Sequence, residues 1–268
     1  MNTQWYELTF KQLQPLHIGM GNYGIMAPTQ LFLPGNTMWG ALTCAYGHNL
    51  GKIEDKLDKK EKNRFTEISN FYPVIDGKTL FPDFKNGELC FGNYSEIEFR
   101  YEFTDTTMST SILPENQSAK DQGLHEIEVL LPFSKGNNNH RLLWRGILKI
   151  EEDKQADSYI REGLTIIVGG ESGYGFGMMK LQEIRPLRNR SEWNLSENND
   201  GFKIEKNDRI AHFSEGFEIL KGVQSPWYHV DKKDRGFQAD LIMVWHPGSL
   251  ASESVNNNIS LKKGLLSR

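Results

Sequence analysis

The chain has 268 residues, of which 38% are hydrophobic and 11% aromatic. A chain of this length buries enough apolar surface to fold without disulfides, and its aromatic content argues against disorder. The formal net charge of −4 excludes the strongly basic composition of proteins that bind duplex DNA alone. Any contact with RNA would therefore depend on a local surface, backbone amides and base stacking.

The two cysteines, Cys44 and Cys90, lie in apolar contexts without the spacing of a metal site or a disulfide framework. Residues 1–10 contain no apolar segment of signal-peptide length. No stretch approaches the roughly 20 apolar residues that a helix needs to span a bilayer. We therefore expect a soluble protein in a reducing cytoplasm.

The chain opens with a predicted strand over residues 4–18, which are rich in aromatic and alternating apolar side chains. Gly19, Gly21 and Gly24 then indicate a flexible loop. Residues 30–34 predict a short strand that ends at a proline.

The first predicted helix follows, with Asn36 or Thr37 as its N-cap. Its apolar residues recur at helical spacing on one face: Met38, Ala41, Leu42 and Ala45. The charged run over residues 52–64 is typical of a solvated helix face.

Residues 71–91 predict a strand, a turn at Asp76-Gly77 and a second strand. Residues 141–150 predict another strand. The spacing of apolar residues over 157–168 predicts a second helix, and residues 178–184 predict the strand that follows it. The resulting order is that of an α+β, ferredoxin-like βαββαβ core with insertions, the topology shared by the RNA-recognition motif.

The glycine-rich segment 169–177, GGESGYGFG, is the sharpest local signal in the sequence. Glycine permits close approach of a ligand, and successive peptide N–H groups can bind phosphates, while aromatic side chains can stack on bases. The candidate contacts are Gly169, Gly170, Ser172, Gly173, Tyr174, Gly175, Phe176 and Gly177. The alternative is a turn between a helix and a strand. The segment lacks the strand-to-helix setting of a dinucleotide site and the Gly-Lys-Ser/Thr of a P-loop.

A second candidate segment contains His17, Gly19 and Gly21, where the histidine could contact RNA or act as a general base. A structural role for His17 is the simpler interpretation, because no serine or cysteine nearby suggests a triad. The remaining histidines are scattered, and the acidic residues form no paired pattern. We therefore expect no catalytic residues, no metal and no cofactor.

Five segments, in this order, resemble the RAMP superfamily of CRISPR type III effector proteins: PLHIGMG at 15–21, LFLPGNTMWGAL at 31–42, ISNFYPVIDGKTLFPDF at 68–84, AKDQGLHEIEVLLP at 119–132 and GGESGYGFGMMKL at 169–181. The third segment is similar to the subunit that binds the 5′ handle of CRISPR RNA (Csm4/Cas5-like). Two features depart from the family pattern. Glu171 and Tyr174 stand where basic residues are common, and the first helix begins with Thr37 and Trp39 instead of a basic residue.

The resemblance implies a modified RNA-recognition fold over residues 1–186. Residues 187–268 would be a C-terminal extension or a degenerate second ferredoxin-like domain. Polar composition separately predicts an insertion or linker over 189–209 and a mobile tail over 249–268. The resemblance implies that the glycine loop and strand edges grip CRISPR RNA. We expect Thr37 and Trp39 to line the same groove, the alternative for Trp39 being a place in the core. The implied partners are CRISPR RNA, other RAMP subunits and the large polymerase-like subunit, in antiviral defence.

Three alternatives to a non-catalytic handle-binding subunit remain open at this point. The chain could be a backbone subunit that lines the guide RNA, a group of which some members cleave target RNA, since the segment at 31–42 fits that group nearly as well. It could be the guide-processing endoribonuclease, with His17 as general base. It could also be a ferredoxin-like protein that does not bind RNA.

Overall fold

A computed structural model describes most of the chain. The described ranges are 3–21, 23–53, 56–115, 117–136, 140–151, 159–197, 199–233, 236–256 and 258–268. Among these residues, no helix combines the length and the apolar character needed to cross a lipid bilayer.

The described residues form three helices and nineteen mostly short strands. The helices are α1 (Gly35–Asn49), α2 (Lys59–Asn63) and α3 (Glu96–Phe103). The strands are β1 (Thr3–Gln12), β2 (Met26–Ala27), β3 (Tyr72–Ile75), β4 (Lys78–Thr79), β5 (Pro82–Lys85), β6 (Glu88–Phe91), β7 (Tyr94–Ser95), β8 (Thr104–Ile112), β9 (Ala119–Leu130), β10 (Leu143–Glu151), β11 (Thr165–Ile167), β12 (Met178–Pro186), β13 (Phe213–Glu215), β14 (Ile219–Lys221), β15 (Gln224–Lys233), β16 (Gly236–Trp245), β17 (Leu250–Ala251), β18 (Ser260–Lys262) and β19 (Leu265–Ser267).

A six-stranded antiparallel sheet in the order β11-β12-β1-β10-β3-β4 forms the centre of the fold. Leu8 and Phe10 of β1 are completely buried, and Met38 and Leu42 of α1 belong to the same apolar cluster. Each such side chain contributes about 1.5–3 kcal/mol to stability by its burial. The cluster fixes α1 on one face of the sheet.

The strand β10 and the turn at Asp76-Gly77, which joins β3 to β4, are as predicted. The first strand, β1, also forms, but it ends at Gln12 and not at residue 18 as predicted. Both turn residues have positive φ, 50° and 78°, as a tight hairpin requires. With three helices and nineteen strands, the described residues form an α+β fold dominated by sheets.

The predicted second helix is wrong where the structure describes it. Residues 165–167 form β11, which pairs with β12, and residues 159–164 form no helix. Residues 157 and 158 lie outside the described ranges. The βαββαβ order is therefore not reproduced as predicted. The predicted strand over 30–34 is also wrong, because only an isolated bridge joins Leu33 to Phe71.

The start of α1 differs from the prediction. Pro34 is the N-cap, and no side-chain hydrogen bond caps the helix there. The backbone nitrogen of Gly35 instead donates to Oδ1 of Asn70, at 2.8 Å, and Asn70 also donates to the carbonyl of Gly264. The turn between β18 and β19 thus holds the beginning of α1.

Residues after 186 form a five-stranded sheet in the order β15-β16-β13-β19-β18. The segment 189–209, predicted to be an insertion or linker, is not a linker, and the described residues of 249–268 do not form the predicted mobile tail. Each contributes fully or nearly fully buried side chains to the same apolar cluster as β1: Trp193, Leu195, Phe202, Ile204, Leu261, Leu265 and Leu266. The two halves of the chain share one core.

Candidate functional site

The glycine-rich loop joins β11 to β12 and rests on the segment that follows β1. The backbone nitrogen of Gly170 donates to the carbonyl of His17, and that of Gly177 donates to the carbonyl of Pro15, both at 2.9 Å. Gly169 has φ 85°, and a Cβ there would lie 2.3 Å from the carbonyl oxygen of His17. Only glycine fits such a close approach. Part of the loop is therefore built for packing.

The tip of the loop has a different character. Residues 171–175 are exposed, and Ser172–Tyr174 form a single 3-10 turn. A Cβ at Gly173 or Gly175 would meet no atom within 4 Å, so neither glycine is required by packing. Tyr174 is 53% exposed and stacks on Phe176, with ring centroids 6.3 Å apart. The tip thus presents peptide groups and an aromatic face to solvent.

A surface groove of about 410 Å³ runs beside this loop. Four of the predicted site residues line it: Gly19, Thr37, Gly169 and Gly170. They come from the segment after β1, from the first turn of α1 and from the glycine loop. The described residues that line the groove include no charged side chain. The groove is thus bordered by peptide groups, small side chains and the N-terminal end of a 15-residue helix, which carries partial positive charge.

Trp39 does not line this groove, contrary to the expectation. Its indole Nε1 donates to the carbonyl of Lys62 at 2.9 Å, and Nζ of Lys263 lies 3.3 Å from its ring centroid. Because helical residues two positions apart point to different sides of the helix, Thr37 and Trp39 cannot share a face. Through these two contacts, Trp39 links α1 to α2 and to the β18–β19 turn.

His17 is 7% exposed, and its Nδ1 donates to the carbonyl oxygen of Glu128 at 2.8 Å. Its imidazole lies under Gly19 and Gly170, with atoms 3.4 and 3.6 Å from the Cβ positions of these glycines. The side chain therefore supports the floor of the groove.

A buried polar network fixes the neighbouring segment. The carboxylate of Glu128 accepts from the backbone nitrogen of Thr29 at 2.8 Å, from Nη1 of Arg100 at 2.7 Å and from Oγ1 of Thr104 at 3.0 Å. Arg100 also pairs with Glu96 at 2.9 Å. The network joins α3 to the base of the β8–β9 hairpin, whose first strand is exposed apart from Thr104 and Ser109.

A second cavity of about 510 Å³ continues from the groove, since Ile18, Gly19, Asn36 and Thr37 line both. Gly21, another of the predicted site residues, lines this cavity. Its far wall comes from the C-terminal sheet and includes Phe213, Trp227 and His246. Burial lowers the pKa of His246, and its Nδ1 donates to the carbonyl of Pro247. No pattern in the sequence pointed to these three residues.

Within the described ranges, no cluster of three or more His, Cys, Asp or Glu side chains could hold a metal ion. The groove and the cavity together form one continuous surface. It suits a ligand that is uncharged or that is bound by peptide groups of the protein. Their geometry brings together Gly19, Gly21, Thr37, Gly169 and Gly170, with the exposed loop tip beside them.

Comparisons with known proteins give a relationship through structure alone. The sequence matches no protein-family profile and none of the curated proteins. The fold is similar to a chain in the cryo-EM structure of the type III-B Cmr-beta complex bound to cognate target RNA and AMPPnP. The TM-score is 0.60 and the identity 13%, over 91% of this chain and 85% of that chain. The structure of the same complex bound to cognate target RNA gives a TM-score of 0.59 at 13% identity, over 91% of this chain and 86% of that chain. This similarity shows a shared fold.

Proposed function

We propose that this chain is a non-catalytic, RNA-binding RAMP subunit of a type III CRISPR effector complex in antiviral defence. In this role it holds the 5′ handle of the guide RNA and docks on the large polymerase-like subunit. The observation that carries the proposal is the groove between the glycine loop and α1, which is lined by four of the residues predicted from the sequence. The fold similarity to a chain of an RNA-bound type III-B complex supports it.

The arrangement of the central sheet also supports the proposal. The order β12-β1-β10-β3, with antiparallel neighbours, is the order in which a ferredoxin-like unit places its last, first, third and second strands. The strand β11 lies at the edge of the sheet next to β12. Along the chain, it follows the position at which such a unit has its second helix. We propose a modified ferredoxin-like core with residues 187–268 as a C-terminal extension that shares its hydrophobic core.

Contact with RNA in this proposal depends on shape and on peptide groups. The loop tip offers exposed backbone groups to phosphates and Tyr174 to a base, while the N-terminal end of α1 adds partial positive charge. Glu171 is part of the tip, and its carboxylate disfavours dense phosphate contact there. Since few cations are involved, few counterions are released, and binding should weaken only modestly as salt rises.

The substitution Gly173→Asp tests whether RNA approaches the loop tip beside the groove. No atom lies within 4 Å of a Cβ at this position and φ is not positive, so the fold should tolerate the new side chain. We expect single-stranded RNA to bind about tenfold or more weakly to this variant, because the carboxylate repels phosphate at close range. Fluorescence anisotropy with labelled RNA measures the affinity, and thermal melting checks the fold.

The matched control is Gly173→Asn, which adds the same shape without charge. We expect it to bind within about twofold of the original protein and to melt at the same temperature. Equal RNA affinity of the aspartate and asparagine variants would show that no phosphate approaches the tip. A melted aspartate variant would show that the loop is structural.

The endoribonuclease alternative makes a different prediction. His17 is 7% exposed and lies beneath Gly19 and Gly170, so its free nitrogen, Nε2, has little access to a strand in the groove. We therefore propose that the chain does not process guide RNA. Metal-independent cleavage of repeat RNA by the pure protein, abolished by His17→Ala, would contradict this.

A further inference from the structure

Two exposed tyrosines border the 510 Å³ cavity. Tyr23 is 71% exposed and Tyr228 is 58% exposed, and both line this space. The chain has nine tyrosines. Each of the other seven contacts a second ring, a cation or a hydrogen-bond partner through its side chain. Within the described ranges, Tyr23 and Tyr228 have no such side-chain contact, so both unpartnered rings lie at the same cavity.

The backbone fixes the position of both tyrosines. Tyr23 and Met26 exchange two backbone hydrogen bonds, of 2.8 and 3.2 Å, and Met26 pairs with β9. Tyr228 lies in β15, opposite Leu241 of β16. A tyrosine side chain has few rotatable bonds and loses little conformational freedom when a flat group stacks on its ring. Both rings are therefore suited to stacking without rearrangement of the chain.

The cavity opens along the edge of the C-terminal sheet. The strand β15 is the edge strand, and four consecutive residues of it, 225–228, line the cavity. Because successive side chains of a strand point to opposite faces, the opening extends around the strand edge. Trp227 faces the core and is 7% exposed, whereas Tyr228 faces solvent. A ligand at the cavity mouth therefore reaches the ring of Tyr228 without entering the core.

The charges around the cavity favour contact with bases over contact with phosphates. Arg100 is the cation among the described lining residues, and it is already paired with Glu96 at 2.9 Å and with Glu128 at 2.7 Å. Glu96 also lines the cavity, and its carboxylate repels phosphate. Every nucleobase has an uncharged π-face that stacks on aromatic side chains whatever the sequence. Bases of a single strand therefore match the exposed, uncharged rings.

We propose that Tyr23 and Tyr228 are stacking platforms for unpaired bases of the RNA strand that lies in the groove. A strand in the groove continues across the cavity mouth, because four residues line both spaces: Ile18, Gly19, Asn36 and Thr37. Each ring takes its own base, so the two rings need not touch. Through Tyr228, the C-terminal half contacts RNA directly. This inference rests on the proposed RNA-binding function and extends it to a second contact surface.

The test measures the binding of a labelled adenosine dodecamer to the full chain by fluorescence anisotropy. We expect Tyr23→Ala and Tyr228→Ala each to bind this RNA about tenfold more weakly, through the loss of one stacked base. The loss should be the same at low and at high salt, because stacking releases no counterions. Tyr23→Phe and Tyr228→Phe should bind within about twofold of the original protein, since phenylalanine keeps the stacking ring.

The matched control is Tyr101→Ala, because Tyr101 is 74% exposed on α3 and lines neither the groove nor the cavity. Its RNA affinity should be unchanged. If the original protein and both alanine variants at the cavity bind the RNA equally well, the stacking proposal is wrong and the proposed function stands. A loss in only one of the two variants overturns the path across the whole cavity mouth. If the original protein binds no RNA, the proposed function fails and this inference fails with it.

A partner protein is the other class of ligand that an exposed tyrosine could contact. Unchanged RNA binding by Tyr228→Ala, together with dissociation of a dimer in size-exclusion chromatography, would assign that ring to contact between copies and overturn the proposal.

Nitration of tyrosines by tetranitromethane gives a second measurement, which needs no variant. Mass spectrometry compares the modification of the full chain with and without the adenosine dodecamer. We expect the RNA to protect Tyr23 and Tyr228 from nitration and to leave the nitration of Tyr101 unchanged. Equal modification of all three tyrosines in both samples would contradict the proposal, whatever the substitutions do to stability.

Discussion

His212 is completely buried and links stability to pH. Burial lowers its pKa to about 4, although a hydrogen bond from its ring to the carbonyl of Trp193 opposes the shift. The folded state therefore resists the proton that the unfolded state takes up near pH 6.5. Stability is fully present above pH 6.5 and declines as the pH falls toward 4. Burial lowers the pKa of His246 too, and the effect has the same sign.

We expect the free energy of unfolding to fall by on the order of 3 kcal/mol between pH 6.5 and 4 through His212 alone. Urea unfolding across this range measures the loss. The variant His212→Phe should be less dependent on pH, even if it is less stable at pH 7. Curves of equal slope for the two proteins would show that His212 is not responsible.

At the scale of elements, the turn between β18 and β19 supports the start of α1. Gly264 has φ 84°, and a Cβ there would lie 2.3 Å from Oδ1 of Asn70 and 2.8 Å from the backbone nitrogen of Gly35. The asparagine amide and the helix start occupy the space that a side chain needs. The C-terminal hairpin is therefore a fixed part of the fold.

The substitution Gly264→Ala should destabilise the protein by about 2–4 kcal/mol, through left-handed backbone strain together with steric overlap. Gly87→Ala is the control, because Gly87 has a similar φ of 86° and no atom within 4 Å of its Cβ position. We expect that variant to lose about 1–2 kcal/mol, the strain alone. Chemical denaturation compares the two. Equal losses of stability in the two variants would show that the hairpin moves away from α1 at no cost in free energy.

Elements with local signals were predictable from the sequence. Strand β1, strand β10 and the turn at Asp76-Gly77 carry their own patterns. The helix predicted over 157–168 was wrong because apolar residues in a short β-branched run, Thr165–Ile167, fit either period until pairing with β12 decides. The short apolar pair Leu265-Leu266 is too brief to reveal a buried strand.

At the scale of the whole molecule, some residues of the groove could be predicted from the sequence, whereas the aromatic residues of the cavity could not. Glycine clustering pointed to Gly19, Gly169 and Gly170, which line the groove, but not to Thr37 or the other lining residues. The aromatic cavity is assembled from segments about 200 residues apart, such as Phe32 and Trp227, so no local pattern contains it. The adjacent aromatic pair Trp227-Tyr228 was the one available signal in the distant segment.

The shared core makes the two halves of the chain one functional unit. Residues after 186 complete the cavity, hold α1 in place and bury Trp193 against the first half, where its ring packs 4.9 Å from that of Phe81. The position of the groove therefore depends on contacts that span the chain. RNA recognition in this account is a property of the intact molecule.

The most direct test of the groove as the RNA contact is photo-cross-linking. Single-stranded RNA containing 4-thiouridine would be irradiated with the full chain, and the modified peptides identified by mass spectrometry. The account predicts cross-links within residues 169–177, including Tyr174, and within residues 15–21. Cross-links confined to α2 or to the small sheet β5–β7 would contradict it.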